Sequence, residues 1–176
     1  RRDIVDTVPD ALASTAKFLQ NAGCRRGEPW GFEVRLPAGY STAGASRKAK
    51  RPIAAWRAAG LTLMDGSPLP DSLPSAGLMV PARGGPAFLV GRNFDTLYSY
   101  NASENYGLAI AQLSNLVTAP PGTPVGFVQA WPTDDPGLSR AQNRELQTLL
   151  LARGHDIGTA DGMIGARTRE AIRAEQ

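Results

Sequence analysis

Several groups of residues have types and spacings that could do chemistry. The segment SYNASENY, residues 99–106, places Tyr100, Asn101, Ser103 and Tyr106 just ahead of an apolar helical pattern. Flat amphipathic rings beside an amide that both donates and accepts suit a sugar: the rings cover its apolar face and the amide reads hydroxyl or acetamido groups. The same residues also fit a structural role, with both tyrosines packed inward and Asn101 or Ser103 capping the following helix. The residues alone leave both readings open. Near the start, Asp3, Asp6 and Asp10 resemble the tail of an oxygen-ligand loop of the calcium type. They also fit a simpler role, Asp6 and Asp10 complementing the positive end of a helix, and spacing favours that.

Other chemistries find little support. The single histidine, His155, lies in the turn ARGHDIG with no nucleophile pattern beside it, which makes it a turn residue rather than a base. One histidine and one cysteine cannot supply a zinc shell. Cys24 sits at a helix end where a small buried hydrophobe is expected. The glycines of ARGGPAF, residues 82–88, read as a hairpin turn, and neither a P-loop nor a dinucleotide fingerprint appears.

The elements that would hold these residues can be read from periodicity and punctuation. Over residues 6–23, Thr7 is placed to cap, Pro9 suits a first turn, Leu12, Ala16 and Leu19 share a face, and Gly23 ends the helix. The alternation of Phe32, Val34 and Leu36 predicts a strand, and GLMVP and PAFLV around ARGG predict a hairpin, for a sheet of about three strands. Between them RPIAAWRAAGL predicts a short helix ending at Gly60, with Trp56 in the core. Asn93 is placed to cap a short turn over FDTLY. From Ser103 a longer helix runs through Leu108, Ala111, Leu113 and Leu116 until Pro120 and Pro121 forbid its continuation.

The proline- and glycine-rich stretch from residue 120 to 137 reads as a linker, with Phe127 and Trp131 tacking it to the domain surface. After it, Ser139 and Gln142 form a capping-box signature, Leu146, Leu149 and Leu150 line a face, and Gly154 closes the helix. A second helix follows DGMIG, with Ile164 placed to staple against Ala171 and Ile172. The organisation expected is a domain over 1–119, a linker over 120–137 and a small helical unit over 138–176. The chain opens on RRDI without methionine and stops within a helical pattern, so both ends are expected to be cuts through larger units.

A net charge of +3 allows an anionic polymer as partner without identifying one. The densest basic run, SRKAKRP over 46–52, has no interleaved aromatics to stack on bases, so it reads as a solvated loop and no nucleic-acid partner is expected. No apolar run reaches the roughly 18 residues of a membrane-spanning helix.

The segments 3–19, 23–37, 84–113 and 138–172 resemble, in order, the membrane-bound lytic murein transglycosylase B family, glycoside hydrolase family 103 type, followed by a peptidoglycan-binding domain. PWGFEVRLP and YNASENY are the specific elements; the DG..G..T pattern of the last piece is a common module signature. The resemblance implies an α+β fold, mainly helical and lysozyme-like, with a small antiparallel sheet and a small helical peptidoglycan-binding module. It implies cleavage of the peptidoglycan bond between N-acetylmuramic acid and N-acetylglucosamine, with a 1,6-anhydro ring formed in place of hydrolysis.

One glutamate would serve as acid and then base, without a cofactor. The family's glutamate-serine motif lies upstream of Arg1, so no catalytic residue is expected in this chain. Matching positions make Tyr100, Asn101 and Tyr106 substrate-binding, put Phe18 where relatives carry a cleft tyrosine, make Asp10 the last ligand of a structural calcium loop, and set Cys24 where a tryptophan is common. Asp161, Gly162 and Gly165 are expected to shape the interhelical turn. The partner implied is the peptidoglycan glycan strand, in the periplasm, with outer-membrane association through a missing N-terminus. The alternative function is a non-catalytic peptidoglycan-binding or scaffolding protein.

Overall fold

The computed structural model describes residues 3–133 and 137–175. It divides into two compact units, Arg1–Pro132 and Thr133–Gln176. In the first unit a five-stranded sheet is built from β1 (Gly31–Arg35), β2 (Arg51–Pro52), β3 (Thr62–Leu63), β4 (Ser75–Met79) and β5 (Ala87–Val90). Its order is β2-β4-β5-β1-β3 and every pairing is antiparallel. The expected hairpin is β4 and β5, with Met79 opposite Phe88 and Gly77 opposite Val90. Two of the strands are only two residues long, too short for any alternation to announce them, which is why the sequence predicts three strands rather than five.

The sheet is covered on both faces. Leu78 and Leu89 point into one cluster with Val34, Ile53, Trp56 and Leu61, while Met79, Phe88 and Val90 point into another with Phe94 and Leu108. That split is the period of two made visible. Strand β5 is buried at every position, so its sequence is a continuous apolar run instead of an alternating one. Helix α2 (Ile53–Ala58) closes the first cluster, and the Trp56 indole, core as expected, donates to the Ala76 carbonyl at 2.8 Å. Helices α3 (Arg92–Asn101) and α4 (Glu104–Thr118) close the second, and α4 stops before Pro120.

Helix α1 (Val8–Asn21) buries no residue. Leu12 and Ala16 on its expected inner face are exposed and Leu19 is half-buried. Thr7 stands at the cap position but makes no side-chain cap bond, and Gly23 follows the helix at φ +95°. Phe127 and Trp131 do pack on Phe88, with ring centroids 4.9 and 6.3 Å away, so the stretch up to Pro132 belongs to the first unit.

The second unit holds α5 (Arg140–Ala152) and α6 (Ala166–Ala174). Its capping box forms as the sequence predicts, Ser139 accepting from Gln142 N while the Gln142 side chain accepts from Ser139 N. The core is Leu150, Ile157 and Ala171, flanked by Leu146 and Ile172. Two expectations need correction here. Leu149 is exposed and the buried neighbour on α5 is Gln147, whose amide spans the turn by donating to Met163 O and accepting from Gly162 N at 2.7 Å. The residue that packs with Ala171 and Ile172 is Ile157, not Ile164.

The Asp161 carboxylate, which accepts from Met163 N and from the Gln147 amide, is held below its ordinary range by those bonds. At the far end His155 Nε2 lies 2.8 Å from Glu175 Oε1, and Arg153 donates to the other carboxylate oxygen. The His155 bond first and the Arg153 bond second depress the Glu175 carboxyl below its ordinary 4.5. A carboxylate depressed by folding stabilises the folded form above its unfolded value and ceases to as pH falls through the folded one. The α5–α6 unit should therefore lose stability as pH drops below about 4.5, and Glu175→Gln should flatten that dependence. Amide-resolved NMR of residues 146–172 between pH 6 and 3 reads this; a pH response in the Glu175→Gln variant equal to that of the wild type would contradict it.

Candidate functional site: an aromatic ledge at the α3–α4 corner

Helices α3 and α4 meet at a two-residue joint. Ala102 adopts a left-handed conformation, φ 47°, which terminates α3, and Ser103 then caps α4 by accepting from Tyr106 N at 3.3 Å. Non-glycine residues reach this region at a cost of about 1 kcal/mol, and alanine is among the smaller side chains that can do so. Tyr100 and Asn101 therefore close one helix while Tyr106 opens the next. The sequence presents them as neighbours at a single helix entrance; the structure inserts a change of chain direction between them.

That change brings the rings together. Tyr100 and Tyr106 stack with centroids 6.2 Å apart and planes within 10°. Phe18, near the end of α1, meets Tyr100 edge-on at 5.3 Å and 83°. The row faces outward: Tyr100 is 55% exposed and Phe18 41%, while Tyr106 is half-buried. Asn101 is exposed beside it, and its amide makes no side-chain hydrogen bond among the described residues. The corner thus offers a row of three rings, with Asn101 exposed next to Tyr100 in the chain.

Asp10 is not part of the row. It lies in the first turn of α1, eight residues before Phe18, and its Oδ2 accepts from Asp3 N at 3.0 Å. Asp3 Oδ1 in turn accepts from Val5 N and Asp6 N, and the Asp6 and Val5 amides hold the Asp3 carboxyl below its usual range. Among the described residues no three carboxylate, histidine or cysteine side chains are grouped to hold a metal ion.

The glutamates are mostly committed elsewhere. Glu28 pairs with Arg25 at 3.4 Å, and Glu33 accepts from Val128 N and Gln129 N at 2.6 and 2.8 Å, clamping the tail of the unit to β1. Glu104 faces Arg47, and Glu145 lies exposed on α5.

Three further expectations are corrected. Cys24 is exposed, because the loop it begins runs along the surface between α1 and β1. Asn93 does not cap a turn: Gly91 stands at the α3 cap position, and Asn93 is buried. Its amide accepts from Arg25 N at 2.7 Å and donates to Arg25 O and Glu28 O at 2.8 and 2.6 Å, fastening the 24–28 loop to α3. The basic run is not a solvated loop throughout, since the Arg47 and Lys50 side chains keep only 12% and 23% exposure and both pair with Asp95. Those partners lie more than forty residues apart, and nothing local in the sequence signals the pairing.

A cavity of about 830 Å³ is distinct from the ledge. Leu19, Cys24, Glu28, Trp30, Phe32 and Asn115 are among its walls, and Trp30 Nε1 donates to Asn115 Oδ1 at 3.1 Å across it. None of Phe18, Tyr100 and Tyr106 lines that cavity.

This corner and sheet belong to a known class: the chain is a member of the transglycosylase SLT domain family, which matches residues 1–115. Among solved structures, the chain is 47% identical to SltB3 from Pseudomonas aeruginosa in complex with NAG-anhNAM-pentapeptide, with a TM-score of 0.78 over 99% of this chain and 46% of that one. The SltB3 complex with NAG-NAM-pentapeptide gives the same identity and TM-score over 100% of this chain and 47% of that one. A 36 kDa muramidase/transglycosylase is 28% identical, with a TM-score of 0.51 over 66% of this chain and 37% of its own. The chain thus spans under half the length of SltB3. No curated protein matches it. The mixed α+β architecture is that of the lysozyme-like lytic transglycosylases.

Asn93 offers a direct test of how the corner is anchored. Removing a buried amide that satisfies three backbone groups leaves them unpaired, at about 1–3 kcal/mol. Asn93→Ala should lower stability by that amount and speed hydrogen exchange at the Arg25 amide ahead of the β5 amides; uniform protection in both places would show that the loop is held by something else.

Proposed function

We propose that the chain is the glycan-binding part of a lytic transglycosylase of the membrane-bound B type, glycoside hydrolase family 103, acting on peptidoglycan. One observation carries this: a row of Phe18, Tyr100 and Tyr106 with Phe18, Tyr100 and Asn101 exposed, in a chain 47% identical to a protein seen with peptidoglycan fragments bound. Pyranose rings present C–H faces that stack on aromatic planes, and their acetamido groups need both a donor and an acceptor, which one amide supplies. Phe18 can contribute the stacking face but has no hydroxyl to donate.

The reaction proposed for the whole enzyme breaks the C1–O bond between N-acetylmuramic acid and N-acetylglucosamine. A glutamic acid protonates the leaving oxygen and, as carboxylate, takes the proton of the muramic 6-hydroxyl as that oxygen bonds to C1. Among the described residues no glutamate sits against the ledge with a free carboxylate, and we assign the role to a residue N-terminal to Arg1. This chain's share is to hold the glycan so that the 6-hydroxyl and C1 stay in attacking geometry, where positioning contributes a large part of the rate.

The α5–α6 unit is proposed to be a peptidoglycan-binding module, on the strength of its DG..G..T turn, and the enzyme to be periplasmic with outer-membrane association. Asp10 is proposed as a structural calcium ligand together with oxygens from upstream of Arg1.

Two experiments test these assignments. Tyr100→Ala and Asn101→Ala, built into the intact enzyme, should each reduce anhydromuropeptide release from sacculi by about tenfold, equivalent to 1.4 kcal/mol, with unchanged melting temperature. Wild-type release by both variants would remove the ledge from the glycan path. For the metal, calcium should raise the melting temperature of a protein that includes the upstream segment, and Asp10→Asn should abolish the shift. Equal melting with calcium and with chelator would withdraw Asp10 as a ligand.

A further inference from the structure

The segment between β1 and β2 that carries the basic run contains neither helix nor strand over residues 41–50, yet it is held tightly. At Gly77 on β4 a Cβ would lie 2.4 Å from the Arg47 carbonyl oxygen and 2.6 Å from that of Ser46, so the segment sits directly on the sheet backbone. Lys50 Nζ donates to the carbonyls of Arg47 and Val90 at 3.0 and 3.2 Å and pairs with Asp95 Oδ2 at 2.9 Å. The Arg47 backbone is thereby fixed from two sides.

Its guanidinium then reaches both helices of the corner. Arg47 Nη1 donates to Asp95 Oδ1 at 2.9 Å, and Cζ stands 3.5 Å from the centroid of the Tyr98 ring, both on α3. Nε lies 3.8 Å from Glu104 Oε1, on the first residue of α4. One planar cation therefore contacts α3 and α4 on either side of Ala102.

We infer that Arg47 is a positioning residue for glycan recognition, setting the angle between α3 and α4 and with it the stacking of Tyr100 on Tyr106. The inference rests on the reading of the ledge as a sugar surface. Its physical basis is the shape of guanidinium. A flat cation lies on an aromatic face and sends in-plane N–H groups to two carboxylates at once. A lysine ammonium at the same place can pair with Asp95, but as a point charge on a flexible stem it cannot also fix the tilt of Tyr98 and reach Glu104. Exposed pairs of this kind contribute little, but the Arg47 side chain is only 12% exposed and solvent screens it far less.

The test uses the full chain with 3-fluorotyrosine incorporated, Tyr100 and Tyr106 signals assigned by single phenylalanine replacements, and an N-acetylglucosamine tetramer as probe. Arg47→Lys and Glu104→Gln should each shift the fluorine signals of both ledge tyrosines. Each should also weaken tetramer binding by about three- to tenfold, with melting temperatures within a few degrees of wild type. Tyr100→Ala is the reference for the ledge itself. If Tyr100→Ala weakens binding while Arg47→Lys and Glu104→Gln leave both signals and affinity unchanged, the positioning role is overturned and the sugar surface stands. If Tyr100→Ala binds like wild type, the sugar surface falls, and with it the role of Arg47 in recognition, while the fluorine shifts still report whether Arg47 sets the corner. Should Arg47→Lys fail to fold, Glu104→Gln, whose side chain is 43% exposed, gives the same two readouts.

Discussion

The first unit depends on how closely α4 approaches Phe94. At Gly107, one turn into α4, a Cβ would stand 3.0 Å from the Phe94 ring, so only hydrogen fits between the helix and that side chain without displacement. Phe94 is fully buried and shares a cluster with Phe88, Val90 and Met79. The contact therefore locks α4 to the sheet through α3. Fixing α4 at that distance, with α3 continuing directly from β5 at Gly91, leaves the two-residue joint at Ala102 and Ser103 little freedom. A left-handed alanine is the conformational cost of closing it, and it persists because packing on both sides over-determines the joint.

The ledge is a by-product of that closure. Two helices that meet at a forced corner bring the last turn of one beside the first turn of the other, and residues 100 and 106 are the ones that face each other there. A continuous helix would separate them by about 9 Å along its axis and 240° around it, on different faces. The sequence shows two tyrosines six apart, which on a regular helix would not stack. Their parallel contact follows from the break, to which the close approach of Gly107 to Phe94 contributes.

This explains which parts were legible in advance. Elements with strong local signals are read from the chain alone: the hairpin around ARGG, the core Trp56 between two turn residues, the Ser139–Gln142 capping box, the proline stop after α4. Features that depend on distant partners are not. Asn93 reads as a cap because asparagine before an apolar run usually is one, and only tertiary placement opposite residues 25 and 28 makes it a loop clamp. Leu149 reads as part of the inner face of α5 and is instead exposed, while Gln147 is buried with its amide satisfying a turn that lies fifteen residues on. Arg47 and Lys50 read as solvated charge because the carboxylate that neutralises them is at position 95. In each case a polar side chain does a long-range job with no period, and periodicity is what a single sequence exposes.

The openness of the ledge bears on the kind of ligand it suits. Small molecules are held in concavities that bury most of their surface. A polymer strand cannot thread such a site end-first along its whole length; it must be met sideways, by surfaces that cover one face of each ring and leave the rest in water. A ring row in which Phe18 and Tyr100 are exposed and Tyr106 half-buried matches that demand. The weak point of such a surface is that each stacking contact contributes only on the order of 1 kcal/mol, so selectivity has to come from how rigidly the planes and the amide are held relative to each other. A corner held by the Phe94 contact and by the Arg47 guanidinium is braced at the Ala102–Ser103 joint, where the backbone is neither helix nor strand.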